Sequence, residues 1–345
     1  MRKLLTRGLE DPMLVQYLGL AGMIVLISLV MQSSVGGFLK AANLEVLAMN
    51  MVFEGIMAIG MTFVIISGGI DLSVSSVFPF AEILVGKLMV EAGVPLLPAI
   101  AVTLLACVGI GILNGSLINL FRVHPMIITM GMLLTLRGVN LAITNGHAVS
   151  GFPDAFLWLG QGTILGINVP IVFFAAVATV LGFLLNNHRF FRQLYFIGGN
   201  ERAARLSGVN VPRTKVVFYA LSALLAGSAG VMGAAKYGAA HWGHANMAEL
   251  KAIAAVAIGG ANINGGSGTM IGTVLGVVFL AFVHNAFVTS EVNPFWYDVV
   301  NGGMLLTAVI LSRFIEQKRI ADVLRLRQSK MDEIAITTMP RESAT

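Results

Sequence analysis

The chain has 345 residues, of which 57% are hydrophobic and only 11% charged. A soluble domain carries about twice that charge, which excludes a water-soluble two-domain enzyme and a disordered chain and makes lipid the expected solvent. The net charge of +5 is spread between long apolar runs, which suits a cytoplasmic membrane surface and not a nucleic-acid partner, and a lone cysteine, Cys107, precludes an intrachain disulfide or cysteine metal cluster.

A helical span needs about 20 mostly apolar residues. The start, Met1 to Leu9, carries Arg2, Lys3 and Arg7 and leads into the charge-free run Pro12 to Leu39. No small-residue cleavage pattern follows, so this reads as an uncleaved first helix. Val52 to Ile70 has one charge, Glu54, and Leu72 to Val90 has Glu82 and Lys87. Ala92 to Phe121 has none, and Val123 to Thr144 has only Arg137. Ala155 to Asn187 is again uncharged, with a clean core at Ile164 to Leu185. Val216 to Ala235, Ala252 to Ser290 and Val299 to Ser312 complete nine runs. The run 252–290 is too long for one span, and GGANINGGSG (259–268) interrupts it. Divided there, with one piece ending near Ile258 and the next starting near Thr269, the chain is predicted to be all-α and polytopic, with ten spans.

Basic residues test that count. Arg189, Arg192, Arg202, Arg205, Arg213 and Lys215 fall in 186–215, and Arg313, Lys318, Arg319, Arg325, Arg327 and Lys330 follow Leu311. Both segments and the N-terminus are expected in the cytoplasm. Six spans before the first cluster and four between the two satisfy the parity. Outside loops are expected near 36–45, 144–163 and 236–248, with Lys40 and Lys236 as their only basic residues.

Two stretches echo each other. GGIDLS (68–73) and GGANIN (259–264) each follow an apolar run and open another, and VHP…MLLT (123–135) is echoed by VNP…MLLT (292–307). This predicts a two-half internal repeat with broken helices at Gly68, Gly69, Gly259, Gly260, Gly265 and Gly266. GxxxG patterns at Gly111–Gly115 and Gly268–Gly272–Gly276 predict close helix packing.

Polar residues inside spans must be paired or wet. Asp71, behind the first glycine pair, either caps the helix beginning near Ser73 or serves coupling or gating. Glu54, Glu82 and Arg137 are expected to avoid lipid, and a Glu54–Arg137 pair is one arrangement. Asn114, Asn119, Asn140 and Asn285 serve either as interhelical bonds or as a neutral pathway for hydroxylated cargo, since amides donate and accept. His241 and His244 lack a third ligand for zinc and fall in an outside loop. No nucleophile–base pattern or phosphate loop occurs; GGSG (265–268) lacks the following lysine. No catalytic, cofactor-binding or metal residue is assigned.

In the cytoplasmic segment, Asn200 is placed to cap a short helix Glu201 to Leu206 that Gly208 ends. Glu201 and Arg205 suit its dipole and form an i,i+4 pair. Such a short, rigid, basic helix suits docking of a soluble partner.

The sequences GMTFVIISGGIDLSVSS (60–76), HPMIITMGMLLTLRG (124–138), GGNERAARLSGVNV (198–211), LKAIAAVAIGGANINGGSGTMIGTVLG (250–276) and NPFWYDVVNGGMLLTAVIL (293–311) together carry a family resemblance. Over about residues 12–315 the chain resembles the inner-membrane permease subunit of bacterial ABC importers for simple sugars, the ribose, xylose, arabinose, galactose and rhamnose group. The resemblance implies a transmembrane permease domain over 1–315, with a coupling loop at 186–215 and a basic, flexible cytoplasmic tail at 316–345. It also implies a second permease subunit, identical or paralogous, two cytoplasmic ATPase domains that hold ATP and magnesium, and a periplasmic sugar-binding protein. The chain itself would hold no cofactor, do no chemistry, contact membrane lipid and bind no nucleic acid. Gly199, Asn200, Ala203, Ala204 and Gly208 match the region that faces the ATPase. Glu201, Ala203 and Ala204 resemble the EAA-type coupling motif, written here ERAA with one inserted residue. LSVSS replaces the LSVG usual in the family. The expected function is import of a monosaccharide or polyol across the bacterial inner membrane by alternating access, with both termini cytoplasmic. The alternatives are an ABC permease for another small solute, such as a branched amino acid or a quorum-signalling sugar derivative, and an ion-coupled secondary transporter built on the two breaks.

Overall fold

The computed structural model describes residues 12–291 and ten single positions between 293 and 310. The basic N-terminus, much of the expected last span and the tail 316–345 lie outside the described residues.

Helices dominate the described residues. α1 (Pro12–Val35), α2 (Ala41–Ile66) and α3 (Val74–Gly86) come first, and α3 runs on into a wider π turn at Lys87–Glu91. α4 (Leu96–Phe121), α5 (Pro125–Thr144), α6 (Asp154–Gln161) and α7 (Val169–Asn187) follow. α8 (Arg189–Gly199) and α9 (Glu201–Leu206) precede α10 (Val211–Tyr237), α11 (Ala248–Ile258) and α12 (Met270–Thr289). Two minimal antiparallel pairings involve β1 (Val149–Ser150) with β4 (Ala239–Ala240), and β2 (Thr163–Ile164) with β3 (Ile167–Asn168).

Seven of these helices, namely α1, α2, α4, α5, α7, α10 and α12, are long and apolar enough to cross a membrane. α3 and α11 are not. α3 has 13 residues and, with the five of its π turn, extends at most about 27 Å, and the 11 residues of α11 extend about 16 Å, both short of the roughly 30 Å hydrocarbon core. Each is cut short by one of the glycine breaks. The order is reversed between them: long α2, break, short α3; then short α11, break, long α12.

Several boundaries differ from the hydropathy reading. The sixth apolar run divides at the turn Leu165–Gly166, both at positive φ, so α7 starts at Val169 and not at Ile164. α10 starts five residues before its apolar core, because Asn210 Oδ1 accepts the Arg213 amide at 3.1 Å and Pro212 fits the first turn.

The core forms around α2 and α10. α10 packs on α2, α3, α4 and α6, while α12 packs on α1, α2 and α11. α1, α4, α5 and α7 turn Leu26, Leu105, Ile127 and Phe183 outwards, as lipid-facing helices do. The expected glycine seams are contact surfaces. A Cβ on Gly115 would lie 2.7 Å from Val216 Cα, and one on Gly111 would collide with the Tyr219 carbonyl, so α4 and α10 meet backbone to backbone. Gly272 and Gly276 meet Gly259 and Ala255 in the same way, joining α12 to α11. Cys107 is buried against Gly227 and packs as a small hydrophobe.

Candidate transport core and coupling face

Asp71 sits in the first break, fully buried. Its Oδ1 accepts the Ser73 amide at 3.1 Å and the Ser73 hydroxyl at 2.6 Å, and its Oδ2 accepts the Ser222 hydroxyl of α10 at 2.9 Å. Asn114 of α4 donates to Ser73 Oγ at 2.9 Å, and Thr129 of α5 donates to the Ile70 carbonyl at 3.1 Å. The loop between α2 and α3 is thus tied to α10, α4 and α5 at once. Such a polar cluster is tolerable in the bundle because Asp71, Ser73 and Ser222 pair donor with acceptor, although Asn114 Oδ1 and the Tyr219 hydroxyl stay buried without a hydrogen-bond partner among the described residues. Gly69 leaves room for the Tyr219 hydroxyl beside it.

The predicted asparagines divide. Asn140 donates to the Ser76 carbonyl at 3.1 Å, one turn along α3 from Asn114's contact. Asn119 donates to the Gly115 and Pro212 carbonyls at 2.8 and 3.0 Å, a brace between α4 and α10. Asn285 stands apart from these. It exchanges amide hydrogen bonds with Asn43 of α2, at 2.9 and 3.2 Å. Asn43 is a partner that the sequence alone did not single out.

The second break meets the first. The Gly266 amide donates to the Ile66 carbonyl at 2.9 Å, and a Cβ on Gly265 would lie 2.8 Å from Gly68 Cα. Gly68 and Gly265 have φ of +80 and +97, which favour glycine. A third glycine pair closes the junction. Gly198, near the end of α8, packs against Ile66 and Gly266, and Gly199 lies beside Gly266. Tyr195 of α8 adds a hydrogen bond to the Gly268 carbonyl at 2.8 Å. Both membrane breaks therefore rest on α8. Hydropathy does not mark α8 as a span, but RFFRQLYFIGG places Phe191, Leu194 and Ile197 on one face, and this i,i+3 spacing was the available signal.

α9 follows directly. Asn200 Oδ1 accepts the Ala203 amide at 3.0 Å, and Gly208, at φ +85, ends the turn. Glu201 bonds Arg205 and Lys215, each at 2.6 Å. Partial burial raises the Glu201 pKa, but the Lys215 and Arg205 contacts outweigh it and hold the carboxyl below its ordinary value. One expectation is corrected here. Ala204, placed by the sequence on the docking surface, is 3% exposed and packs on Ile197 and Val211. The outward residues are Arg202, Ala203, Arg205 and Leu206, and Leu206 is 84% exposed.

The remaining intramembrane charges also pair differently from the one arrangement named. Glu54 bonds Lys251 at 2.7 Å, not Arg137. Arg137 lies 3.8 Å from Glu249 and donates to Asn246 Oδ1 at 3.1 Å. Glu82, fully buried, has Oε2 2.8 Å from His244 Nδ1 and accepts the His241 amide at 3.2 Å. Each pair joins a helix of the first half to residues 244–251.

Glycine breaks, lipid-facing helices and a polar interior define a multi-pass membrane transport protein. A family profile described as "Branched-chain amino acid transport system / permease component" matches residues 42–309. The chain belongs to this family of transport permeases. It is 36% identical over 299 residues to the "Ribose import permease protein RbsC" of Bacillus subtilis, covering 86% of this chain and 91% of that one. It is 33% identical over 280 residues to the "D-allose transport system permease protein AlsC" of Escherichia coli, covering 81% and 86%. It is 33% identical over 288 residues to the "L-arabinose ABC transporter permease protein AraH" of Azospirillum brasilense, covering 84% and 85%. No solved structure matches the chain.

Proposed function

We propose that this chain is the permease subunit of an ATP-driven, binding-protein-dependent importer that moves a monosaccharide such as ribose, allose or arabinose by alternating access. Sugar-permease relatives over most of the chain support the substrate class. In this reading α3 and α11 are the third and eighth of ten spans, the two broken-helix units form the halves of a repeat, and the protein lies in a bacterial inner membrane with both termini in the cytoplasm. Two permeases, the same or paralogous, would sit on two ATPase domains that bind ATP and magnesium, with a periplasmic sugar-binding protein outside.

The observation that carries the mechanism is the glycine junction. Gly198–Gly199 touch both breaks and run straight into α9. A push on α9 from an ATPase would reach both broken helices through backbone contacts alone, without a flexible side chain to absorb it. Asp71 would then pass the displacement to α10 through Ser222.

The test uses the two faces of α9. Ala203→Glu or Leu206→Asp should leave permease abundance near wild type, while co-purification of the ATPase and sugar-stimulated ATP hydrolysis fall. Ala204→Glu should lower abundance itself, because it buries a charge in the Ile197–Val211 cluster. Uptake retained with Leu206→Asp in cells lacking every partner ATPase would refute the importer reading.

A further inference from the structure

The coupling face leaves one patch without a role. At the end of α10 the Tyr237 ring is 51% exposed. It is tilted at 45° against the His244 ring at 4.7 Å, lies 6.3 Å from Phe53, and has the Lys236 ammonium 5.4 Å from its centroid. His244 in turn touches Glu82, Lys236 lies 3.5 Å from Asn50 Oδ1, and Glu54 and Lys251 are within charge range of Tyr237.

Three features mark a wet ligand site. Glu54 and Lys251 are 34% and 20% exposed, and Glu54 stands 13 residues into α2, about 20 Å along its axis. Partly exposed charges at that depth face water or a cavity, because hydrocarbon would be far costlier. The patch also holds two carboxylates, Glu54 and Glu82, and two ammonium groups, Lys236 and Lys251, of which Glu54 and Lys251 pair directly at 2.7 Å. The patch offers hydrogen bonds without a bare countercharge, which disfavours an ionic ligand. Finally, Tyr237 is half exposed and offers an open aromatic face, whereas the buried Glu82 Oε1 lies against Gly233 of α10.

A sugar ring meets all three conditions. Its C–H face packs on an aromatic ring, its hydroxyls donate to carboxylates and accept from ammonium groups, and it carries no charge. We propose that an aqueous outer vestibule opens onto Tyr237, and that the patch formed by Tyr237, His244, Glu82, Glu54, Lys236 and Lys251 is a binding station for an uncharged monosaccharide. The proposal rests on the importer reading and assigns its cargo a place on this chain.

Tyr237→Cys and Asn50→Cys are made in a Cys107→Ser background, with Leu105→Cys of the lipid face as control. Each permease is reconstituted in nanodiscs and reacted with a membrane-impermeant methanethiosulfonate, with and without D-ribose, D-allose or L-arabinose. The two patch cysteines should react much faster than Leu105→Cys. At Asn50→Cys, which leaves the ring in place, at least one sugar should slow the reaction about tenfold at roughly ten times its Kd, since the free fraction falls as 1/(1 + [L]/Kd); Tyr237→Cys removes the platform and reports water access alone. Reaction as slow as at Leu105→Cys, at both positions, would refute the vestibule. Fast reaction at Asn50→Cys that no sugar slows would refute the binding station. Sugar-stimulated ATP hydrolysis by the assembled complex is measured separately. Its absence alongside intact protection would overturn the importer reading and leave the site standing.

Discussion

Replacing Asp71 with leucine removes one acceptor group on which three donors converge: the Ser73 amide, the Ser73 hydroxyl and the Ser222 hydroxyl. Ser222 has an alternative, because a helical serine can turn to a carbonyl one turn back. The Ser73 amide has none and is orphaned at about 1–3 kcal/mol. Leucine's branched end in place of a carboxylate adds about 1–3 kcal/mol of overpacking. The sum, about 4 kcal/mol, is a large part of an ordinary folding free energy. Asp71→Asn keeps Oδ1 for the Ser73 amide, and its new NH2 faces a Ser222 oxygen that accepts as readily as it donates. That change should cost about 1 kcal/mol. Thermal unfolding of the purified permease in nanodiscs, with sugar uptake in cells, reads both effects. The expected order of stability is wild type, Asp71→Asn, then Asp71→Leu well below. Equal damage from both variants would show that the charge matters and not the acceptor geometry. An unshifted Asp71→Leu would refute the argument entirely.

Gly111→Ala should lower membrane yield sharply, because its Cβ meets the Tyr219 and Ala220 backbone and not a movable side chain; normal yield with monodisperse gel filtration would show that α4 and α10 separate at little cost. Acidification should loosen α9. The folded pKa of Glu201 is depressed, so its contribution is present above the unfolded value of about 4.3 and is lost as pH falls through the folded one. The protection of amides 200–208, taken relative to their intrinsic exchange rates at each pH, should therefore be constant near neutrality and fall only below that carboxylate range, and Glu201→Gln should show the lower protection at neutral pH.

Much of this was legible in the residues. The glycine runs at 68–69 and 259–268 mark real breaks, since a backbone without side chains neither favours helix nor packs as one. Asn200, Glu201 and Gly208 delimit α9, because cap chemistry acts within three residues. Contacts between distant segments were not legible. Lys251 lies 197 residues from Glu54, the carboxylate it pairs with, and no local spacing encodes that. The inward turn of Ala204 was hidden for another reason: a six-residue helix is too short to show a period. That α3 and α11 are short was not legible either, because hydropathy counts apolar residues and not where a helix begins and ends.

The pairs from His244 to α3, from Glu249 to α5 and from Lys251 to α2 share a mechanical consequence. They fasten one segment, residues 244–251, to three separate helices. At separations of 2.8, 3.8 and 2.7 Å, a shift of a few ångströms by that segment would part all three contacts together. A clasp held at three points resists small displacements and then releases as a unit, so this end of the bundle would stand either fastened or open, with little population in between.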